Sequence, residues 1–499
     1  PIELGLENIE FLLDAHNDSL WFEFKWDDEH VNDKNKGKLN ATFIPNENKG
    51  GRLNVTSSDV IINDSLWNIS PTCVIDFKKD GVRMEEFDIY SGTQFLNIKG
   101  DFPRTSNDTL YLKFDDLNIS NFDLLTASMG IDLDGIINGD LQFAGLSDKF
   151  TFLSNLDVEG IGINKHIIGD AFIDANWNAS DTSIFVDAEL IEHDSSDILL
   201  SLIGNYYISR TDDNLDFNLD FNGLDISFVN SFTKGTLNKV KGNLKGDILI
   251  GGSMKKMQLL GEVNLYDAAC HVEYLNTYYN INPSNLKQNN IDSYIRFSEN
   301  RIDINDIVLV DTLGNNAVAH GVVSHNYLKN FNLDIDATLD NFMGMNMLPK
   351  DGAAFYGTAF ASGDLKVDGP IENIVLDINA ETMPGTVIDV MLTNNTSIND
   401  NFVVFVQKDI EQDTVKTYVP EKKKKNKFTF NLNANVSETA KVNIHLPSNM
   451  GNISASGVGN IRLGHAYDQL SLYGDYVINE GTFNFNFQNL VRRNFNIKQ

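Results

Sequence analysis

An all-β fold is predicted by three features. Apolar and polar residues alternate over long runs, a sustained helical period is almost absent, and one strand-forming pattern recurs about every 110 residues. Leu215-Asp216-Phe217-Asn218-Leu219-Asp220-Phe221 alternates without error, as does Phe331-Asn332-Leu333-Asp334-Ile335-Asp336-Ala337. Phe428 to Val436 alternates for its whole length, and Gly481-Thr482-Phe483-Asn484-Phe485-Asn486-Phe487 sets its rings against amides. In an extended strand each such run sends its apolar side chains one way and its polar ones the other.

The repeat reads Gly-Asp-Leu/Ile-x-apolar. It occurs at Gly139-Asp140-Leu141, Gly246-Asp247-Ile248 and Gly363-Asp364-Leu365, with a weaker copy at Gly459-Asn460-Ile461. After each, a short turn leads to a second alternating run: Phe150 to Val158, Leu259 to Leu265, Ile374 to Ala380 and Leu470 to Ile478. Roughly 20 residues upstream of the first three lie Leu117–Leu125, Leu224–Val229 and Leu339–Met345, whose spacing predicts one or two helical turns. The expected organisation is an N-terminal β segment (1–116), repeats at 117–223, 224–338 and 339–445, and the start of a further segment (446–499).

Composition excludes several functions. The chain has 499 residues, 42% of them hydrophobic, and a net charge of −31, which opposes binding to nucleic-acid phosphates. No run approaches the ~18 apolar residues of a membrane helix, and no signal peptide opens the chain. It begins at Pro1 without an initiator methionine and reads as a piece of a longer protein. Cys73 and Cys270 read as unpaired core residues rather than a disulfide. The run Glu421-Lys422-Lys423-Lys424-Lys425-Asn426-Lys427 reads as a solvated hairpin tip or, alternatively, a docking patch for anionic lipid heads or an acidic partner.

Catalytic patterns are missing. The 9 histidines are scattered, and no nucleophile elbow or phosphate-cradling loop occurs. Asp27-Asp28-Glu29-His30 and Glu192-His193-Asp194 read as loop solvation rather than cation sites. With 70 carboxylates, acidic pairs arise by coincidence. No enzyme activity, metal or cofactor is expected.

A sheet with one apolar face must have that face covered. A second sheet, surrounding lipid, or a removable apolar guest in a curled groove would each serve. Surrounding lipid is disfavoured, because membrane barrels carry Trp and Tyr girdles, whereas here 32 Phe outnumber 15 Tyr and 4 Trp. Stacked sandwiches lack the linkers that would divide them. At about 11 residues per strand and turn, one continuous sheet would hold about 45 strands and reach on the order of 200 Å.

Tyr473-Gly474-Asp475-Tyr476-Val477-Ile478-Asn479-Glu480-Gly481-Thr482-Phe483-Asn484-Phe485 resembles a signature near the C-terminal region of TamB-like proteins. Phe487 to Gln499, Tyr356 to Pro370 and Gly385-Thr386 resemble further parts of that pattern, which the AsmA group shares. The Asn, Lys and Ile bias resembles Bacteroidota versions. The resemblance covers residues 115–499.

It implies a long curled β-sheet, a taco-like groove with an apolar lumen and a few short helices, in the envelope of diderm bacteria. An inner-membrane anchor outside this stretch, an outer-membrane barrel-assembly partner of TamA type, phospholipid movement and outer-membrane biogenesis come with it. The residues agree: an acyl chain of about 16 carbons costs roughly 12 kcal/mol to expose to water, and uniform Phe, Leu, Ile and Val suit a sliding guest better than a specific pocket. Candidate groove-lining residues are Phe217, Leu219, Phe221, Leu333, Ile335, Phe428, Phe430, Leu432, Phe483, Phe485 and Phe487. Alternatively, these rings pack on one another in a closed core. The rival function is a periplasmic scaffold that receives unfolded outer-membrane strands at its sheet edges; a surface array of sandwiches for adhesion is a third.

Overall fold

A computed structural model describes residues 8–498 except 28–34, 48–49, 63–64, 80, 103–107, 123–131, 146–149, 234, 283–292, 350–354, 392–426, 448–449, 467–468 and 488–490. It contains thirty described strands and two described 3₁₀ turns, an all-β fold. The expectation of about 45 strands overcounts, because strands as long as Gln469–Phe487 take 19 residues. Pro1–Lys234, Val240–Tyr266 and Phe297–Glu299 form one compact unit; Gly235–Lys239, Asp267–Arg296 and Asn300–Gln499 form another.

In the first unit, antiparallel neighbours follow chain order except at one split position, where Ser65–Ile69 and Val74–Lys78 both pair with Gly51–Ile62 and with Gly81–Ser91. Glu10–His16 pairs with Ser19–Asp27, which pairs with Asn35–Pro45, then Gly51–Ile62. Gln94–Asp101 pairs with Thr109–Asn118, and that strand with Leu133–Ala144, the strand bearing the first repeat motif. Residues before 117 thus share one ladder with the repeat that follows.

In the second unit the ladder runs from Arg301–Val310 through Asn316–Ser324, Asn332–Met347 and Phe355–Pro370. Here one strand position is split. Asn373–Thr382 and Val387–Met391 both pair with Phe355–Pro370, on either side of a break at residues 383–386. The next position is split likewise: Lys427–Val436 and Lys441–His445 run parallel to those two strands. Gly451–Ala466 then pairs with both halves, Gln469–Phe487 with it, and Val491–Lys498 last. Thr386, 1% exposed, clasps the first break, its hydroxyl oxygen accepting the Phe360 N–H at 3.0 Å. The Lys441 N–H donates to its carbonyl at 2.9 Å.

The motif glycines have a steric cause. Gly139, Gly246 and Gly363 lie inside strands with φ of +129°, +134° and +148°. A Cβ there would sit 2.1–2.2 Å from the carbonyl oxygen of Asn155, Glu262 or Asn379 on the next strand. Only glycine permits both the conformation and the approach. In the first and third repeats, the following alternating run pairs with the motif strand, as Leu141↔Ser154 and Leu365↔Ile378.

Two of the three upstream turns form. Asn118 Oδ1 accepts the Ser120 N–H at 2.9 Å, and Ile119–Phe122 is 3₁₀. Asp225 Oδ1 accepts the Ser227 N–H at 2.6 Å, and Ser227–Ser231 is 3₁₀. The third, Leu339–Met345, is strand instead. It lacks the Asx-x-Ser start, and its amides are taken by side chains elsewhere: Asn341 N–H donates to Ser362 Oγ and Met343 N–H to Asp311 Oδ2. The outcome is a bulged strand.

Two small clusters of buried side chains form, one in each unit. In the first unit, Val158, Ala171, Leu190 and Leu224 gather beneath Ile119 and Phe228 of the 3₁₀ turns. In the second, Tyr279, Ala317, Leu339 and Phe342 pack together, with the Tyr279 and Phe342 rings stacked at 4.7 Å. Burial pushes the Tyr279 hydroxyl up to about 12, and it donates to the Met343 carbonyl at 2.9 Å.

Cys73 and Cys270 are unpaired. Burial, with a smaller contribution from Asp88, pushes the Cys73 thiol up to about 12. His193 sits 2.9 Å from Asp170, and no group of three or more potential metal ligands occurs among the described residues. Asp28, Glu29, His30 and most of the 421–427 lysine run lie outside the described residues.

Candidate functional site

Register converts single alternating strands into one apolar face. Residues directly opposite each other in a ladder project to the same side. In the first unit, Phe217 lies between Gly204 and Ile250, Leu219 between Leu202 and Ile248, and Phe221 between Leu200 and Gly246. The row through Leu202 continues to Ala188, Ile173, Leu156 and Gly139. Nearer the N-terminus, Phe22 opposes Leu13 and Ala41, and Phe43 opposes Leu20 and Leu53. Gly204 opposite Phe217 leaves no room for a side chain: a Cβ there would lie 2.8 Å from the Phe217 ring.

The second unit repeats the arrangement by itself. Ile335 lies between Gly321 and Val367, Val367 opposes Leu376, and Leu376 opposes Phe430. Beside that row, Leu365, Ile378, Leu432, Leu463 and Leu472 form another. Phe483 lies between Ile453 and Phe495, its ring 6.0 Å from that of Phe495 and 5.9 Å from that of Phe485.

The opposite face carries the charged and amide side chains, with exposed apolar ones such as Ile203 and Leu249 among them. Lys366 reaches Asp334 at 2.8 Å, and that bond holds its ammonium above the usual lysine range. Arg52 grips Asp76 at 2.8 Å and holds its carboxyl below the usual range. Asn431 donates to Asp377 at 2.7 Å.

Burial separates a covered core from an open one. Phe217, Leu219, Phe221, Leu333, Ile335, Phe430, Leu432, Phe483 and Phe485 are all half-buried, while their strand neighbours Asp216, Asn218, Asp220, Asp334, Asn431 and Thr482 are exposed. Phe428 and Phe487 fall in strands at the positions that continue these rows, opposite Ile374 and Val491; their side chains lie outside the described residues. Thr277, Thr386, Cys73 and Ser183 are the largest described side chains under 2% exposed, while Trp67, Phe342 and Phe360 are buried at 5–7%. A second sheet packed about 10 Å away would instead bury the facing Phe and Leu side chains. Alternation marked one or two members of each row; Ile302, Val367, Leu376, Leu463 and Phe495 join them through register, which no single strand reveals.

Residues 306–499 match the family model of the TamB C-terminal domain. No curated protein and no solved structure matches the chain. The matched stretch takes in the rows from Ala317–Leu339 to Phe483–Phe495. No described helix is long and apolar enough to cross a membrane. Over residues 306–499 the chain is thus similar to the TamB C-terminal domain.

Proposed function

We propose that the apolar face carries phospholipid acyl chains between the inner and outer membranes, and serves outer-membrane biogenesis in that way. The observation that supports this most is the half-buried state of the large apolar side chains across continuous rows. An acyl chain laid on such a row covers what the protein leaves uncovered, at about 0.8 kcal/mol per methylene. The contacts have no direction, so neighbouring positions are near-equivalent and the chain slides. The charged headgroup stays in water at the open side. Each glycine-marked repeat supplies one length of groove, with Phe217, Leu219, Phe221, Leu333, Ile335, Phe428, Phe430, Leu432, Phe483, Phe485 and Phe487 among its lining. The inner membrane is reached through an anchor outside this stretch, and the outer one through a barrel partner of TamA type.

Lipid extracted from protein purified without detergent tests the reading. Mass spectrometry is expected to find phospholipid with the native chain and far less with Phe430→Asp, whose circular dichroism stays all-β. Absence of lipid from both, or unfolding of every such variant, favours a closed core.

A second reading has one observation behind it. Glu10–His16 has one described strand partner and exposes Phe11, Leu12 and Leu13, as a strand-accepting scaffold edge would. Crosslinks from Leu12 to unfolded outer-membrane polypeptide, without lipid on the face, would favour it.

A further inference from the structure

We propose that Arg493 holds the phosphate of a phospholipid headgroup on the apolar face. This rests on the lipid-carrying function above and adds the headgroup class. Arg493 stands directly opposite Phe485, in line with Val491, Phe495 and Ile497, while Arg492, Asn494, Asn496 and Lys498 take the other side. In the described rows of this face, from Arg301–Val310 to Val491–Lys498, every other position is apolar, glycine, threonine, tyrosine or histidine. Arg493 alone brings a full charge.

The side chain is exposed and makes no ion pair among the described residues. The chain as a whole carries −31, so an unpaired cation set among phenylalanines departs from its surroundings in both sign and polarity. A guanidinium offers a planar fork of donors that matches two phosphate oxygens at once. The Phe483 and Phe485 rings beside it suit the first methylenes of the attached chains. A phospholipid joins an anion and acyl chains in one molecule, the pair that an arginine beside phenylalanines would take.

The test uses a benzophenone amino acid at position 485. The protein is mixed with vesicles of equal parts phosphatidylglycerol and diglucosyl-diacylglycerol with matched acyl chains. The native arginine should favour phosphatidylglycerol adducts about five- to tenfold. Arg493→Gln should bring the two to parity at unchanged total yield, and Arg492→Gln should leave the preference intact. A preference that survives Arg493→Gln overturns the proposal; if that variant also self-associates, the arginine guards a sheet edge. Loss of the preference in millimolar inorganic phosphate, to the extent Arg493→Gln causes, assigns the arginine to free anions and also overturns it. If no lipid adduct forms at all, the carrying function fails first and this inference with it. Equal adducts with both lipids defeat the inference alone.

Discussion

The Thr386 hydroxyl and the Phe360 amide meet at 3.0 Å, where one strand position of the sheet breaks in two. The same hydroxyl donates to the Met383 carbonyl at 2.7 Å, so a single buried side chain replaces ladder bonds lost at the break. Thr386→Val keeps the shape and removes both partners. The Phe360 N–H is then buried without an acceptor, at a cost of about 1–3 kcal/mol. Hydrogen exchange at Phe360 should accelerate accordingly, and Thr386→Ser should restore protection.

Gly246→Ala should be costly for a backbone reason. Its φ of +134° disfavours any side chain, and the new Cβ would lie 2.2 Å from the Glu262 carbonyl oxygen. A loss of about 2 kcal/mol or more is expected, read as faster exchange along Leu237–Ser253. Gly81→Ala, whose Cβ would meet nothing within 4 Å, should be near neutral.

The Asp170–His193 pair gives a pH dependence with a defined sign. Hydrogen bonding to Asp170 raises the His193 imidazole above its ordinary value. For Asp170, burial acts upward, but the Gly160 N–H and His193 outweigh it and hold the carboxyl low. A raised histidine stabilises fully below its unfolded pKa, about 6.5, and loses that contribution as pH rises through the folded value. Imidazole titration by NMR should give a midpoint above the ordinary histidine range, and Asp170→Asn should lower it.

The fold class was legible because alternation is local: Leu215 to Phe221 announces its faces without help from any other strand. The motif glycines were legible as a repeat, but their role depends on a carbonyl from the neighbouring strand. The upstream turns show the limit. Leu117–Leu125, Leu224–Val229 and Leu339–Met345 share apolar spacing, yet Asn118 and Asp225 start a turn with their own side chains while Asn341 gives its amide to Ser362. For the candidate site, Phe430 and Phe483 could be picked from their own strands. That Leu376 and Phe495 share rows with them could not be read this way, since row membership comes from pairing partners. The parallel step from Asn373–Thr382 to Lys427–Val436 was likewise hidden, because neither strand differs in pattern from an antiparallel one.

The central claim is that one face of the sheet holds lipid and the other does not. Phe430 is half-buried on the apolar side of Lys427–Val436, and Asn433 is exposed on the other side of that strand. A photo-crosslinking residue at each position, in protein irradiated inside cells, compares the two faces of one strand. The account predicts phospholipid adducts from position 430 and none from 433. Absence of lipid at 430, or equal labelling at both, would contradict it.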